Sequence, residues 1–139
     1  MTPIVVIELA GEPRGKGRPR FVRGTGVAFT PSATRKHEAA LRYAAQQEMN
    51  GRPPFDTALV ITVVATFAVP VSWSKRKRAD ALSGTLPHVK APDCDNLLKC
   101  VDALNGVTWI DDKQITRAVV IKQYGERPSL RIEISGAVS

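Results

Sequence analysis

The sequence predicts one α/β domain of the α+β kind: a mixed β-sheet of about four to five strands with two main helices on one side. Three observations predict it. At 139 residues the chain has room for one modest core and not for two. Short β-branched runs recur at 4–9, 58–69, 115–124 and 130–134, separated by Gly- and Pro-containing stretches. Between them lie two segments with helix-forming composition or helical spacing, near 32–49 and 95–104.

Residues 4–9 read as a first strand. A basic arm of about 11–29 follows, carrying Arg14, Lys16, Arg18, Arg20 and Arg23 among glycines and prolines. Phe21-Val22 and Val27-Ala28-Phe29 flank Gly24-Thr25-Gly26, which predicts a hairpin. The plain reading of the arm is a solvated loop. The favoured one is contact with DNA backbone, because one sign of charge dominates and glycines allow close approach. A helix starts at Thr30-Pro31 or Ser32 and runs to about Met49, where Asn50-Gly51-Arg52-Pro53-Pro54 stops it. His37 on this helix is assigned no chemistry. Residues 58–69 form the longest apolar stretch and predict a central strand buried on both faces.

A basic loop of about 71–91 holds Lys75, Arg76, Lys77 and Arg78, either as a short helix capped by Ser72 or Ser74 or as an open loop. Its charges are a solvated run or a phosphate clamp; His88 reads as a bystander. Further on, residues 107–110 form a turn or short strand that delivers Asp111-Asp112, and a strand resumes at 115–124. Leu130, Ile132 and Ile134 then alternate with Arg131, Glu133 and Ser135, as in a half-buried antiparallel strand.

The chemistry concentrates in a block at 90–114. Asp93, Asp95, Asp102, Asp111 and Asp112 are five of the thirteen acidic residues, in a chain of net charge +7. A basic protein with an acidic knot suits gripping a polyanion and holding a cation. In an extended segment Asp93 and Asp95 share a face, with Cys94 turned away. A helix from about Asp95 then puts Lys99 one turn on and Asp102 nearly another, with Leu97, Leu98, Val101 and Leu104 as a buried stripe ended by Asn105-Gly106. Any one aspartate alone reads as a cap or turn residue. As a set they repel, and a divalent cation removes that penalty. Oxygen-only ligands favour Mg²⁺, with Mn²⁺ as a substitute.

The run Lys90-Ala91-Pro92-Asp93-Cys94-Asp95-Asn96-Leu97-Leu98-Lys99, followed by Asp102-Ala103-Leu104-Asn105-Gly106 and Asp111-Asp112-Lys113-Gln114-Ile115, resembles the RusA family of Holliday-junction resolvases. Gly15-Lys16-Gly17-Arg18-Pro19-Arg20-Phe21 and Ser72-Trp73-Ser74 resemble its phage and prophage branch. The resemblance implies a RusA-like fold, with Asp93, Asp95, Lys99 and Asp112 catalytic and Asp93, Asp95 and Asp112 on the metal. Asp102 and Asp111 become secondary candidates. It also implies a homodimer that resolves branched DNA by paired symmetric nicks in recombination and repair, leaving 5′-phosphate and 3′-hydroxyl ends. Founding members carry arginine immediately before the first aspartate, where this chain has Pro92; Lys90 is the candidate replacement.

No apolar run approaches the length of a membrane span, and no signal peptide is read at the N-terminus. Cys94 and Cys100 lack zinc-like companions and read as reduced thiols, so a cytoplasmic protein of a bacterium or phage is expected. Two other function classes stay open at this point. One is a non-catalytic nucleic-acid-binding module with structural acids, against which the intact set of Asp93, Asp95, Asp112 and Lys99 speaks. The other is a generic metal-dependent nuclease or phosphatase.

Overall fold

The computed structural model describes residues 3–16, 20–21, 23–29 and 32–137. In chain order the elements are β1 (Val5–Ala10), β2 (Arg20–Phe21), β3 (Ala28–Phe29), α1 (Ser32–Met49), β4 (Leu59–Ala68), α2 (Lys75–Ser83), α3 (Cys94–Lys99), β5 (Ile115–Gly125) and β6 (Ser129–Gly136). Cys100–Leu104 and Asp112–Gln114 wind as 3₁₀ turns. Among the described residues no helix is long and apolar enough to cross a membrane. The alternative helix start at Thr30-Pro31 lies outside the described residues.

The main sheet has the order β1-β6-β4-β5, with β6 antiparallel to both β1 and β4, and β4 parallel to β5. The architecture is therefore the α+β domain with a four-stranded mixed sheet that the sequence predicts. β2 and β3 pair as the expected hairpin, Arg20 opposite Phe29. A parallel pair cannot be joined by a tight turn, so the chain crosses over between β4 and β5. That crossover, residues 69–114, carries α2, α3 and the whole acidic block.

β4 corrects one expectation. Leu59, Ile61, Val63, Ala65 and Phe67 are buried, but the residues between them are only half-buried. The helices gather on the first face. The other carries Thr62 beside Glu133, and Arg131 in ion pairs with Glu8 and Glu133. A sheet with antiparallel members tolerates one wet face, so the strand's apolar length overstates its burial.

The second predicted helix is also corrected. α-Helix persists only to Lys99, after which the chain tightens into the 3₁₀ turn Cys100–Leu104. At three residues per turn, Cys100 aligns with Ala103 and Val101 with Leu104. All four are buried. Arg42 of α1 caps the end, its Nη1 donating to Ala103 O at 2.9 Å and Asn105 O at 3.1 Å. Gly106, at φ 83°, makes the reversal expected there. Burial pushes the Cys100 thiol up to about 12, so it stays protonated, while Cys94 is exposed.

Trp109 locks the segment that follows. It is fully buried, and its Nε1 donates to Asn105 Oδ1 at 2.6 Å. Backbone bonds from Phe55 N to Thr108 O and from Ile110 N to Phe55 O tie the same residues down. Asp111 and Asp112 thus emerge from a fixed point. α2 is the short helix among the two readings of the basic loop. Ser74 caps it, accepting from Lys77 N at 3.2 Å. Its root is held by stacked rings: His88 lies 3.8 Å from Phe67, and Trp73 and Tyr124 meet edge to face at 5.4 Å.

Candidate active site

Asp93 is the only extended residue of the pair expected to share a face. At φ −80° and ψ 168° its side chain caps α3, with Oδ1 accepting from Asn96 N at 2.8 Å. Asp95 is already in the first helical turn. A cap needs a short oxygen-bearing side chain, and the helix starts at Cys94 because Asp93 supplies it. The cap engages Oδ1 alone among the described residues. Asp95 and Lys99 meet as read from their spacing, Nζ to Oδ2 at 3.1 Å. Their side chains are 74% and 55% exposed, so the pair contributes only about 0.5 kcal/mol and leaves both charges open to a ligand.

The two neighbouring aspartates separate by role. Asp111 closes a capping box: its carboxylate accepts from Lys113 N at 2.9 Å, and its own N–H donates to Gln114 Oε1 at 2.9 Å. The Gln114 amide then donates to Phe55 O and Thr57 O, fastening the turn to the domain. Asp112 is left facing the sheet. Hydrogen bonding to the Asp111 carboxyl, then desolvation and the charge of Asp102, hold Asp112 above the usual carboxylate range. The Lys113 N–H draws Asp111 below it.

Asp95, Lys99, Asp102 and Asp112 line one pocket of about 330 Å³ floored by Ile61, Leu98 and Ala118. Ile61 and Ala118 are register partners of β4 and β5, and the small alanine leaves the space above them. Asp93 is not among the residues lining this pocket. Asp102 is, so a residue ranked second in the sequence stands in the centre.

Sequence reasoning placed Lys16 on DNA. In the structure its ammonium stands 3.6 Å from Asp102 Oδ2 and 3.9 Å from Glu38 Oε1. Glu38 was missed, although a signal exists. Thr34, Leu41, Ala45 and Met49 mark the buried stripe of α1, and Glu38 falls within it by spacing. The root of the basic arm is strapped to α3: Lys16 N donates to Asn96 O at 3.1 Å. A Cβ on Gly15 would stand 2.8 Å from Asn96 Cβ and 3.1 Å from Pro92 Cβ. Gly15→Ala is therefore expected to cost about 1–3 kcal/mol through overpacking. Thermal unfolding of the variant checks this, and an unchanged midpoint would show that the strap yields freely.

Among the described residues, no three His, Cys, Asp or Glu side chains stand close enough to hold a metal ion as arranged. The donor chemistry still fits a hard divalent cation. Every acidic donor around the pocket is a carboxylate, and Asp112 is pressed against two others, crowding that a cation relieves.

The remaining basic residues are dispersed around this centre. Arg14 and Arg23 are exposed, only the backbone of Arg20 is described, and Arg18 lies outside the described residues. Lys75, Arg76, Lys77 and Arg78 are exposed on α2. Lys77 and Lys90 place their ammonium groups 4.1 and 5.0 Å from the Trp73 ring centre, and Lys90 is not among the residues lining the acid pocket.

The family model described as endodeoxyribonuclease RusA matches residues 10–135. A protein of Bacillus subtilis (strain 168), "Uncharacterized protein YqaN", is 33% identical over 130 residues, covering 89% of this chain and 90% of that one. The match runs from the last residue of β1 to Ser135 in β6, so it takes in β4, β5 and nearly all of β6, the arm and the crossover with its acids, and the chain belongs to the RusA family of endodeoxyribonucleases.

Proposed function

We propose that the protein is a Mg²⁺-dependent, structure-specific endonuclease, with Mn²⁺ as a substitute, that resolves Holliday junctions and other branched DNA as a homodimer. The observation that carries this is the convergence of Asp95, Asp102, Asp112 and Lys99 on one pocket in a chain of net charge +7. A non-catalytic binding module has no use for clustered carboxylates beside a phosphate path, since they repel the ligand.

Asp93, Asp95 and Asp112 would hold the cation by drawing together around it, with Asp102 beside them. The chemistry supplied by a divalent ion there is Lewis-acid polarisation of the scissile phosphate and easier ionisation of an attacking water. Lys99 exchanges its exposed pairing with Asp95 for the charge that builds on the phosphorus oxygens or the leaving oxygen. Asp111 holds the Asp112 turn in place through its box with Gln114. Lys16 balances Asp102 and Glu38 and so limits carboxylate repulsion at the pocket edge. Hydrolysis in this arrangement leaves 5′-phosphate and 3′-hydroxyl ends. The basic arm and α2 grip the backbone of the junction arms.

One pocket of this kind per chain cuts one strand, and a junction needs two symmetric nicks, so two-fold pairing supplies the second site. Light scattering is expected to find a dimer at assay concentrations. Mixing wild type with excess Asp112→Asn protein is expected to give junctions nicked once and not resolved. A monomer that makes paired nicks would contradict the two-site reading.

A further inference from the structure

A second concavity, of about 480 Å³, lies between the end of β1 and the amino end of α1. Arg14, Lys36 and His37 line it, with Glu12 as its one acid. Glu12 is tied elsewhere, its Oε1 accepting from Ala68 N at 3.1 Å. Arg14 and Lys36 are both exposed, and no hydrogen bond or ion pair engages either among the described residues. His37 adds a buried Nε2 without a hydrogen-bond partner among the described residues. Two uncommitted cations on one concavity match the donors that a phosphate group accepts from.

The position of this groove connects it to the acid pocket. Arg14 lines the groove, Gly15 packs on Pro92 and Asn96, and Lys16 reaches Asp102. Two residues of backbone span at most ~7 Å, short enough for both sites to meet one DNA strand. On α1, His37 in the groove adjoins Glu38, which shares Lys16 with the pocket residue Asp102. Both segments therefore lead from one concavity to the other.

We propose that the groove of Arg14, Lys36 and His37 is a second phosphate subsite, which takes one backbone phosphate of the strand cut in the neighbouring acid pocket, a few nucleotides from the scissile linkage. The assignment rests on the branched-DNA reading above. Within that reading the root of the arm serves both sites. Arg14 holds the strand while Lys16, two residues on, borders the reacting acids.

The test uses the full chain and a labelled synthetic four-way junction in EDTA, with binding followed by anisotropy across a salt series. Both cations hold the same phosphate, so the salt slope of Arg14→Ala/Lys36→Ala is expected to fall by ~0.9 relative to wild type. Each single variant keeps one cation on that phosphate and is expected to lose less than the double. The same junction is then made with one neutral methylphosphonate linkage at a time. One position is expected to weaken wild type several-fold and leave the double variant unaffected. With Mg²⁺ the variant is expected to need more junction to saturate, its KM raised above that of wild type. An unchanged salt slope, or no linkage whose effect depends on these residues, overturns the subsite while wild type still binds and cuts the junction. If wild type neither binds nor cuts it, the branched-DNA reading falls as well, and the subsite with it.

Discussion

Asp95→Asn is expected to lower junction cleavage by about 10³-fold or more while junction binding in EDTA stays the same or tightens. The size follows from losing a charged group that acts on a developing phosphoryl charge in a site shaped for it. The binding half follows from charge alone. Asp95 is 74% exposed at the mouth of a pocket meant for a polyanion, so removing its charge removes repulsion. Asn keeps the shape and a good share of the helix-start preference, so α3 is not expected to unravel. Single-turnover cleavage and anisotropy, read on the same preparation, separate the two effects. Full cleavage by this variant would remove Asp95 from the metal set.

Asp93 gives a sharper case, because two roles meet in one side chain. Asn caps a helix about as well as Asp. If Asp93 only caps α3, Asp93→Asn keeps both stability and cleavage. As a metal ligand, which the family resemblance implies and the disengaged second oxygen permits, it is expected to lose about 10³-fold in cleavage with its unfolding midpoint unchanged. Asp93→Ala is expected to lose cleavage too, and also about 1 kcal/mol of stability with the cap. Cleavage retained by Asp93→Asn would leave Asp93 as a cap and turn attention to Asp102, which already lines the pocket.

The sequence carried most of the fold because periodicity survived folding in β1, α1, β4, β5 and β6. It misjudged β4, where an apolar strand reads the same whether its second face is covered or wet. It also misjudged residues 100–104, since helical spacing over five residues does not distinguish 3.6 from three residues per turn. At the site, Asp95, Lys99 and Asp112 were legible from spacing and family pattern, and one pocket gathers all three. The partners were not legible. Lys16 lies nearly ninety positions from Asp102, and its glycine-rich surroundings suggested exposure rather than an ion pair. Trp109, which fixes the approach to Asp111 and Asp112, stood in a stretch too short for any periodic signal.

The central claim is that the acid pocket performs metal-dependent hydrolysis on branched DNA. It is tested most directly by a denaturing-gel assay of one preparation on a synthetic four-way junction, the matching linear duplex and a single strand, each with Mg²⁺ and with EDTA. The expected result is paired nicks at symmetric positions in the junction, only with Mg²⁺, with the linear duplex and the single strand left largely uncut and every nick lost in Asp112→Asn. Cleavage of linear duplex as fast as junction would contradict the structural specificity and leave a generic nuclease. Tight junction binding with no cleavage under Mg²⁺ or Mn²⁺ would contradict the catalytic assignment itself.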